Sequence, residues 1–144
     1  MKVFADTSAL FALLVGDDIV HERAGLNFEY FARNNVQLLT SSYVLLETLT
    51  LLQRRVGMAA TVDFDRKILP VLEVIWVDGT WHDLAMRRLQ AERNRRVSLT
   101  DCLSFEIMEK RDIKCAFAFD KHFAERGFQV AEFHDLNAER TDST

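Results

Sequence analysis

The sequence predicts an α/β fold, a three-layer α/β/α sandwich built on a five-stranded, mainly parallel sheet. Short apolar runs alternate with longer helical patterns along the whole chain, and this alternation requires crossover connections between parallel strands. Residues 3–5 and 116–119 are continuously apolar, as expected of strands buried on both faces. The chain has 144 residues, which is the size of one ordinary domain with a substantial core.

The strands are predicted where short apolar runs lie between polar or helical segments. Asp78-Gly79 is a turn signal after the third run, and Pro70 ends the helical pattern before it. We predict strands at residues 2–5, 36–40, 73–77, 115–119 and 128–133.

The helices are predicted where apolar residues recur at helical spacing between these strands. Gly57 and Gly127 suit the ends of two of them. The predicted helices cover residues 7–15, 19–33, 42–56, 58–69, 80–93, 99–111 and 121–126. We expect one domain over residues 1–136, followed by a polar C-terminal tail over residues 137–144.

Composition limits the classes of function. The net charge is −4 and the pI about 5.5, whereas general nucleic-acid binders carry excess positive charge. No apolar run approaches the ~18 residues of a membrane span, so we expect a soluble cytoplasmic protein. Cys102 and Cys115 form no CxxC pair and the histidines do not cluster, which argues against a zinc site and suggests that both cysteines are core residues.

Two predicted strands end in an aspartate. Asp6 follows the first strand and Asp120 follows the fourth. The carboxyl ends of parallel strands share one edge of a sheet, where ligands bind at the switch point of strand order. If the two strands are neighbours, the two carboxylates converge. The alternative is that each aspartate only caps the helix that follows it.

Glu47 lies in a predicted helix that is apolar on nearly every side. Tyr43 and Leu51 share its face at helical spacing, and Arg54 lies seven residues after it. Desolvating an ionised glutamate costs several kcal/mol unless a cation or an arginine compensates. A pair with Arg54, or exposure at the edge of the helix, would explain Glu47 without a site.

Asp101 has two interpretations. Ser98 followed three residues later by an acid is a capping-box pattern, yet a helix start also attracts phosphate through its free N–H groups. The sequence leaves both open. Thr7 and Ser8 follow Asp6; we expect Ser8 to cap the first helix and Thr7 to touch the site.

These acids and their neighbours carry a family resemblance. The chain resembles the PIN-domain family in four motifs that occur in order: Asp6-Thr7-Ser8-Ala9-Leu10, Glu47 in the helix after the second strand, Ser98-Leu99-Thr100-Asp101, and Phe119-Asp120-Lys121-His122-Phe123 followed by Gly127-Phe128. One position departs from the pattern, because Ala118 stands where many members have Thr or Ser.

The resemblance implies a metal-dependent nuclease. Compact single-domain members of the family are mostly VapC-type toxins, which cleave RNA and are held inactive by a VapB-like antitoxin; homodimers are common. It implies an acidic pocket for Mg²⁺ or Mn²⁺ made by Asp6, Glu47, Asp101 and Asp120, with Thr7 as an accessory residue. Oxygen-only ligands independently favour these hard cations, which can activate a water for attack on RNA phosphodiester bonds.

Several basic and aromatic residues are candidate contacts. Five arginines lie within ten residues just before the Ser98 motif, and RNA phosphates would be drawn there; the alternative is a helix end followed by a solvated loop. We predict substrate contacts by Arg93, Arg95, Arg96 and His122, and a partner surface at Phe28, Tyr30 and Phe31.

Other functions remain open within the same fold. A housekeeping RNA-processing PIN nuclease would need no antitoxin, and a catalytically inactive PIN-fold interaction module would be consistent with Ala118. Phosphatases of the haloacid-dehalogenase type need a second aspartate where this chain has Ser8, and a receiver domain needs an acid pair closer to the first strand than Asp17 and Asp18. Both are poor fits.

Overall fold

The computed structural model describes residues 1–132. Its five strands form one sheet in the order β3-β2-β1-β4-β5, and every neighbouring pair is parallel. The sheet is thus wholly rather than mainly parallel. The strands are β1 (Lys2–Ala5), β2 (Gln37–Ser41), β3 (Leu72–Ile75), β4 (Cys115–Phe117) and β5 (Gln129–Val130).

The helices occupy the predicted segments with small shifts at their ends. They are α1 (Thr7–Leu14), α2 (His21–Arg33), α3 (Ser42–Arg55), α4 (Met58–Asp63), α5 (Gly79–Ala91), α6 (Leu99–Lys110) and α7 (His122–Glu125). The helix predicted over residues 58–69 is shorter, because α4 continues as a π-helical turn (Phe64–Ile68) and a 3-10 turn (Leu69–Val71). Pro70 lies in the last turn and lacks the N–H that a longer helix would need.

Strand order follows from the handedness of the crossovers. The chain steps from β1 to β2 to β3 in one direction and returns to the other side of β1 to form β4 and β5. Right-handed connections then place α1–α4 on one face and α5–α7 on the other. The order reverses between β1 and β4, which makes the carboxyl ends of these two strands the switch point of the sheet.

The core lies on both faces of the central strands. Val3, Phe4 and Ala5 of β1 are fully buried, and Val3 is in register with Leu38 on one side and Cys115 on the other. Continuous burial explains why this strand has no polar alternation. Cys102 and Cys115 are buried free thiols, as expected of small core residues.

Two predictions need correction, and three others reach beyond the described residues. Phe31 is 1% exposed and packs edge-on against Phe117, with ring centroids 5.2 Å apart, so it belongs to the core and not to a partner surface. The fourth strand ends at Phe117, two residues earlier than predicted. The end of the predicted fifth strand (Phe133), the domain boundary at residue 136 and the tail over residues 137–144 lie beyond the described residues.

Candidate metal centre

Asp6 lies at the switch point and holds the start of α1. Its backbone N–H donates to the Phe117 carbonyl (3.0 Å), which continues the β1–β4 ladder by one step. Its extended backbone makes it the N-cap of α1, and its Oδ2 accepts hydrogen bonds from the Ser8 N–H (3.2 Å) and the Ser8 hydroxyl (2.7 Å). Asp6 is only 3% exposed. It therefore caps a helix at the sheet edge where the site was predicted.

Asp101 forms the capping box that its motif predicts. Its backbone N–H donates to Ser98 Oγ (3.1 Å), and its Oδ2 accepts from the Ser98 N–H (3.0 Å). This pairing satisfies two of the free N–H groups at the start of α6. Asp101 therefore lies in the first turn of α6, directly after Thr100, and it is 9% exposed.

Asp120 reaches the same region from the loop after β4. Its Oδ1 accepts a hydrogen bond from the His122 N–H (2.9 Å) at the start of α7. Two residues separate it from the end of β4, and its side chain is half-buried.

The three aspartates converge on one point. Asp6, Asp101 and Asp120 each offer an oxygen within 4.8 Å of the other two. Each uses one oxygen for its own helix or turn, and the second oxygen makes no hydrogen bond within residues 1–132. Capping and convergence, which the sequence left as alternatives, thus occur together in Asp6 and Asp101, whereas Asp120 accepts from the His122 N–H without being the N-cap of α7.

Burial and mutual repulsion raise the pKa values in this cluster. Desolvation, followed by the charge of Asp120, raises the pKa of Asp6 well above its usual value of 3.8, against the hydrogen bonds from Ser8. Desolvation also raises the pKa of Asp101, while the Ser98 N–H opposes the shift. Carboxylates held together at this cost are typical of sites that bind a cation.

The two hydroxyls after Asp6 differ in their surroundings, and only that of Ser8 departs from the predicted role. Ser8 is not the cap of α1, since Asp6 caps it. The Ser8 hydroxyl instead accepts from the Phe119 N–H (2.9 Å) while it donates to Asp6, and so ties the loop after β4 to the first acid. The Thr7 hydroxyl is buried and has no hydrogen-bond partner among the described residues. Only the pairing of β1 with β4 could identify the role of Ser8.

Glu47 does not belong to the three-aspartate cluster of the described residues. It is half-buried on α3, and within residues 1–132 its carboxylate forms no ion pair, so the predicted alternative of a pair with Arg54 is not formed. It lines a groove of about 370 Å³ between α3 and the start of α6. We call this space the α3–α6 groove; its walls are Tyr43, Leu46, Glu47, Thr50, Leu51, Leu99 and Thr100.

The arginine segment divides into two parts. Arg88 is largely buried and pairs with Glu106 (3.4 Å) and Glu109 (3.0 Å) on α6, so it is not available to RNA phosphates. Arg93, Arg95 and Arg96 are exposed in residues 92–98, the loop before α6 that we call the arginine loop. Their side chains form no ion pair with a described residue.

Glu92 gives the arginine loop its shape. Its Oε1 accepts from the N–H groups of Arg93 and Asn94 (3.1 Å each), and its Oε2 accepts from Arg126 at 2.5 Å. The hydrogen bond from Arg126 also holds the pKa of Glu92 below its usual value. The loop leads directly into Ser98, so its three exposed arginines lie five to eight residues before Asp101 along the chain. The clustering of arginines in the sequence revealed these residues, but it did not reveal that Glu92 and Arg126 hold the loop.

His122 lies next to the cluster but is largely enclosed. It is 9% exposed, and its charge, when protonated, would lower the pKa of Asp101. Its Nδ1 has no hydrogen-bond partner among residues 1–132 and lies 3.8 Å from Glu125 Oε2. Phe123, its neighbour, is fully buried in the core.

The comparisons with known proteins agree with this geometry. The model of the PIN domain matches residues 3–129. Proteins named 23S rRNA-specific endonuclease VapC20 in two strains of Mycobacterium tuberculosis are 35% identical over 127 residues, which is 88% of this chain and 95% of theirs.

Solved structures extend the match. The crystal structure of M. tuberculosis VapC20, described as a toxin that cleaves the sarcin-ricin loop, has a TM-score of 0.79 at 33% identity and covers 90% of this chain and 98% of that chain. PAE2754 from Pyrobaculum aerophilum shares the fold, with a TM-score of 0.60 at 16% identity and coverage of 96% and 94%. The chain belongs to the PIN-domain family and, within it, to the VapC-type proteins.

Proposed function

We propose that this protein is a Mg²⁺- or Mn²⁺-dependent endoribonuclease and the toxin of a VapBC-type pair. The observation that carries the proposal is the convergence of Asp6, Asp101 and Asp120, each with one oxygen free of hydrogen bonds to residues 1–132. The reaction is hydrolysis of an RNA phosphodiester bond. Membership of a family whose relatives are named endonucleases supports it.

The donor set fits a hard divalent cation. Three carboxylates and the buried, unpartnered hydroxyl of Thr7 offer oxygen alone, the ligand type preferred by Mg²⁺ and Mn²⁺. A bound ion would supply Lewis acidity toward the phosphate and lower the pKa of a bound water. Asp6, Asp101 and Asp120 would hold it, with Ser8 and Ser98 fixing the orientation of two of the carboxylates.

The remaining site residues act on the substrate. The free arginines of the arginine loop would draw RNA phosphates toward the acids, which compensates locally for the net charge of −4. Glu47 remains a proposed catalytic carboxylate, because it has no ion pair within residues 1–132 and lines the groove that adjoins Thr100 and Asp101. His122 is too enclosed for a wide RNA surface and is proposed to adjust the charge of Asp101.

The first substrate to test is 23S rRNA, the substrate in the name of the relatives. We expect the purified protein to cut 23S rRNA at defined positions with Mg²⁺ or Mn²⁺ and not with EDTA. Asp6→Asn should lower cleavage by at least about 100-fold, which corresponds to about 2.7 kcal/mol of barrier. Asp78→Asn is the matched control, since Asp78 is also an N-cap aspartate, of α5, and lies outside the cluster.

The alternatives predict other results. A housekeeping nuclease would cleave RNA in vitro but would not arrest growth when expressed without a partner. An inactive interaction module would leave RNA intact under every metal condition, with Asp6→Asn and the unaltered protein indistinguishable. Growth arrest by the unaltered protein, relieved by Asp6→Asn, supports the toxin.

We propose two protein partners, a VapB-like antitoxin and a second copy of the chain. Leu46, Val56, Met58 and Val62 are exposed apolar residues on and between α3 and α4, and exposed apolar patches of this kind often mark interfaces. None of the helices in residues 1–132 is long and apolar enough to cross a membrane. The proposed place of action is the cytoplasm. Light scattering of the isolated protein tests the dimer; a monomer at micromolar concentration would contradict it.

A further inference from the structure

The α3–α6 groove adjoins the candidate metal centre and has no part in the proposed binding of the ion. It begins at Leu99 and Thr100, directly before Asp101, and runs along the face of α3 that carries Tyr43 and Glu47. Its volume, about 370 Å³, lies at the lower end of the range for small-ligand sites. Leu46 at its rim is 67% exposed, so the groove is open to a substrate.

Tyr43 is held in place at one wall of this groove. A 2.6 Å hydrogen bond joins its hydroxyl to Nδ1 of His82 in the first turn of α5, and the two rings meet edge-on at 75° with centroids 6.0 Å apart. The Val77 N–H donates to Ser42 Oγ (2.9 Å) and fixes the start of α3 against the segment before α5. The tyrosine ring is therefore ordered before any ligand binds, which lowers the entropic cost of binding to it.

The chemistry of the walls selects a neutral, flat ligand. Leu46, Leu51 and Leu99 offer apolar surface, and Tyr43 adds an aromatic ring. Glu47 on the wall would repel a phosphate that entered the groove itself. An RNA chain whose phosphate lies at the three aspartates can place an adjacent base there, because bases are uncharged and stack on aromatic side chains.

We infer that the α3–α6 groove is a binding site for one unpaired nucleobase next to the cleaved phosphate, with Tyr43 as its stacking surface and His82 as the residue that positions Tyr43. The inference rests on the proposed ribonuclease function and deepens it. A base inside a duplex is stacked and paired, so the groove accepts a base from a loop or a single strand. The enzyme would thus prefer RNA in which a base beside the cut is unpaired.

The test needs no variant in its first step. A short single-stranded oligoribonucleotide that the protein cuts at one position is prepared with an abasic site on either side of the cut in turn. With Mg²⁺ or Mn²⁺, we expect one of the two abasic substrates to lose about 10-fold in kcat/KM, equivalent to about 1.4 kcal/mol. The same strand annealed into a duplex should be cut at least 10-fold more slowly.

The second step assigns the effect to this groove. In Tyr43→Leu, which keeps an apolar side chain but no ring, the intact substrate should lose about 10-fold while the abasic substrate is cut as by the unaltered protein. Tyr43→Phe keeps the ring and its edge-on contact with His82 but removes the hydrogen bond, so it should lose less activity than His82→Ala, which removes both. His82→Ala should raise KM more than it lowers kcat. Trp76→Ala removes an exposed aromatic residue, outside the groove lining, and is the matched control.

The outcomes separate this inference from the proposed function. No cleavage of any RNA by the unaltered protein overturns both. Metal-dependent cleavage that ignores both abasic sites overturns the base site alone, as does an abasic effect that persists in Tyr43→Leu. Unchanged RNA cleavage by Tyr43→Leu, together with lost binding of a copurified protein partner, would assign the groove to that protein and overturn the base site.

Discussion

Asp6→Asn should stabilise the metal-free protein while it abolishes the response to metal. Asp6 is buried beside two other acids, and both burial and the charge of Asp120 raise its pKa. At neutral pH folding therefore costs free energy at Asp6, because the carboxyl must either stay ionised in a buried site or take up a proton. Asparagine removes this charge, keeps the shape, and is as good an N-cap as aspartate, so α1 should keep its start.

The magnitude follows from the separation of the carboxylates. Two unit charges 4.8 Å apart, the upper bound in the cluster, repel by about 1 kcal/mol in water and by about 3.5 kcal/mol at an effective dielectric constant of 20. Weaker hydrogen bonds from Ser8 to a neutral amide would offset about 0.5–1.5 kcal/mol. At the effective dielectric constant of 20, which suits a buried site, the net gain is about 2–3 kcal/mol, and for a domain of this size it raises Tm by roughly 4–12 °C.

Thermal unfolding in EDTA and in Mg²⁺ or Mn²⁺ measures both effects. The unaltered protein should gain stability with metal, because an ion that binds only the folded state stabilises it by mass action. Asp6→Asn should start higher in EDTA and gain little. Asp78→Asn, which removes a charge from the exposed N-cap of α5, should change Tm by less than about 2 °C and keep the metal response.

A lower Tm of Asp6→Asn in EDTA would refute the electrostatic reasoning, since it would mean that the cap and not the repulsion dominates at Asp6. A metal response equal to that of the unaltered protein would refute the placement of the ion. Either result can be read without an assay of RNA cleavage.

Three further predictions concern the cluster, the arginine loop and the core. The pKa values of Asp6 and Asp101 are raised in the folded state, so the stability of the metal-free protein should fall as pH rises above 3.8 through those raised values. The Tm gain with Mg²⁺ should grow over the same pH range. Melting curves recorded at a series of pH values test this, and a smaller gain at neutral than at acidic pH would contradict it. Alanine at all three arginines of the arginine loop should weaken RNA binding and reduce the slope of log K against log salt by the equivalent of up to about three phosphate contacts. Arg111→Ala, at the far end of α6, should change neither quantity. Fluorescence anisotropy over a salt series measures both. Phe105→Ala should cost about 3–5 kcal/mol in urea unfolding, because the buried ring packs against two phenylalanines and lies under two guanidinium groups, and a loss below 1 kcal/mol would show that the cavity collapses.

The fold could be predicted from local patterns. The continuously apolar residues 3–5 and 116–119 predicted strands covered on both faces, and alternating helices required parallel connections. The strands β1 and β4 form there, although β4 ends at Phe117. The position of the boundaries was less determined. The segment around Pro70 follows helical periodicity, yet it winds into π and 3-10 turns. The backbone must leave the helix here to enter β3, and the spacing of apolar residues carries no information on where a helix changes its winding.

The candidate site could be predicted in part. Asp6, Asp101 and Asp120 each follow a recognisable local signal, and the structure brings them within 4.8 Å of one another. Glu47 was selected because its helix looked apolar all round, but α3 exposes Leu46 and lines an open groove with Glu47. A residue's burial depends on what packs against its helix, which the helix sequence does not contain.

The sequence by itself determined which residues carry charge at strand ends and helix starts, since capping and burial patterns depend on neighbours a few positions away. Only the tertiary structure decided that β4 returns beside β1, which brings Ser8 to Phe119. It also decided the hydrogen bonds of Arg126 with Glu92 and of Tyr43 with His82. These contacts join residues more than thirty positions apart. They form only when the whole sheet closes, because their partners are selected by chain topology and not by spacing along the chain.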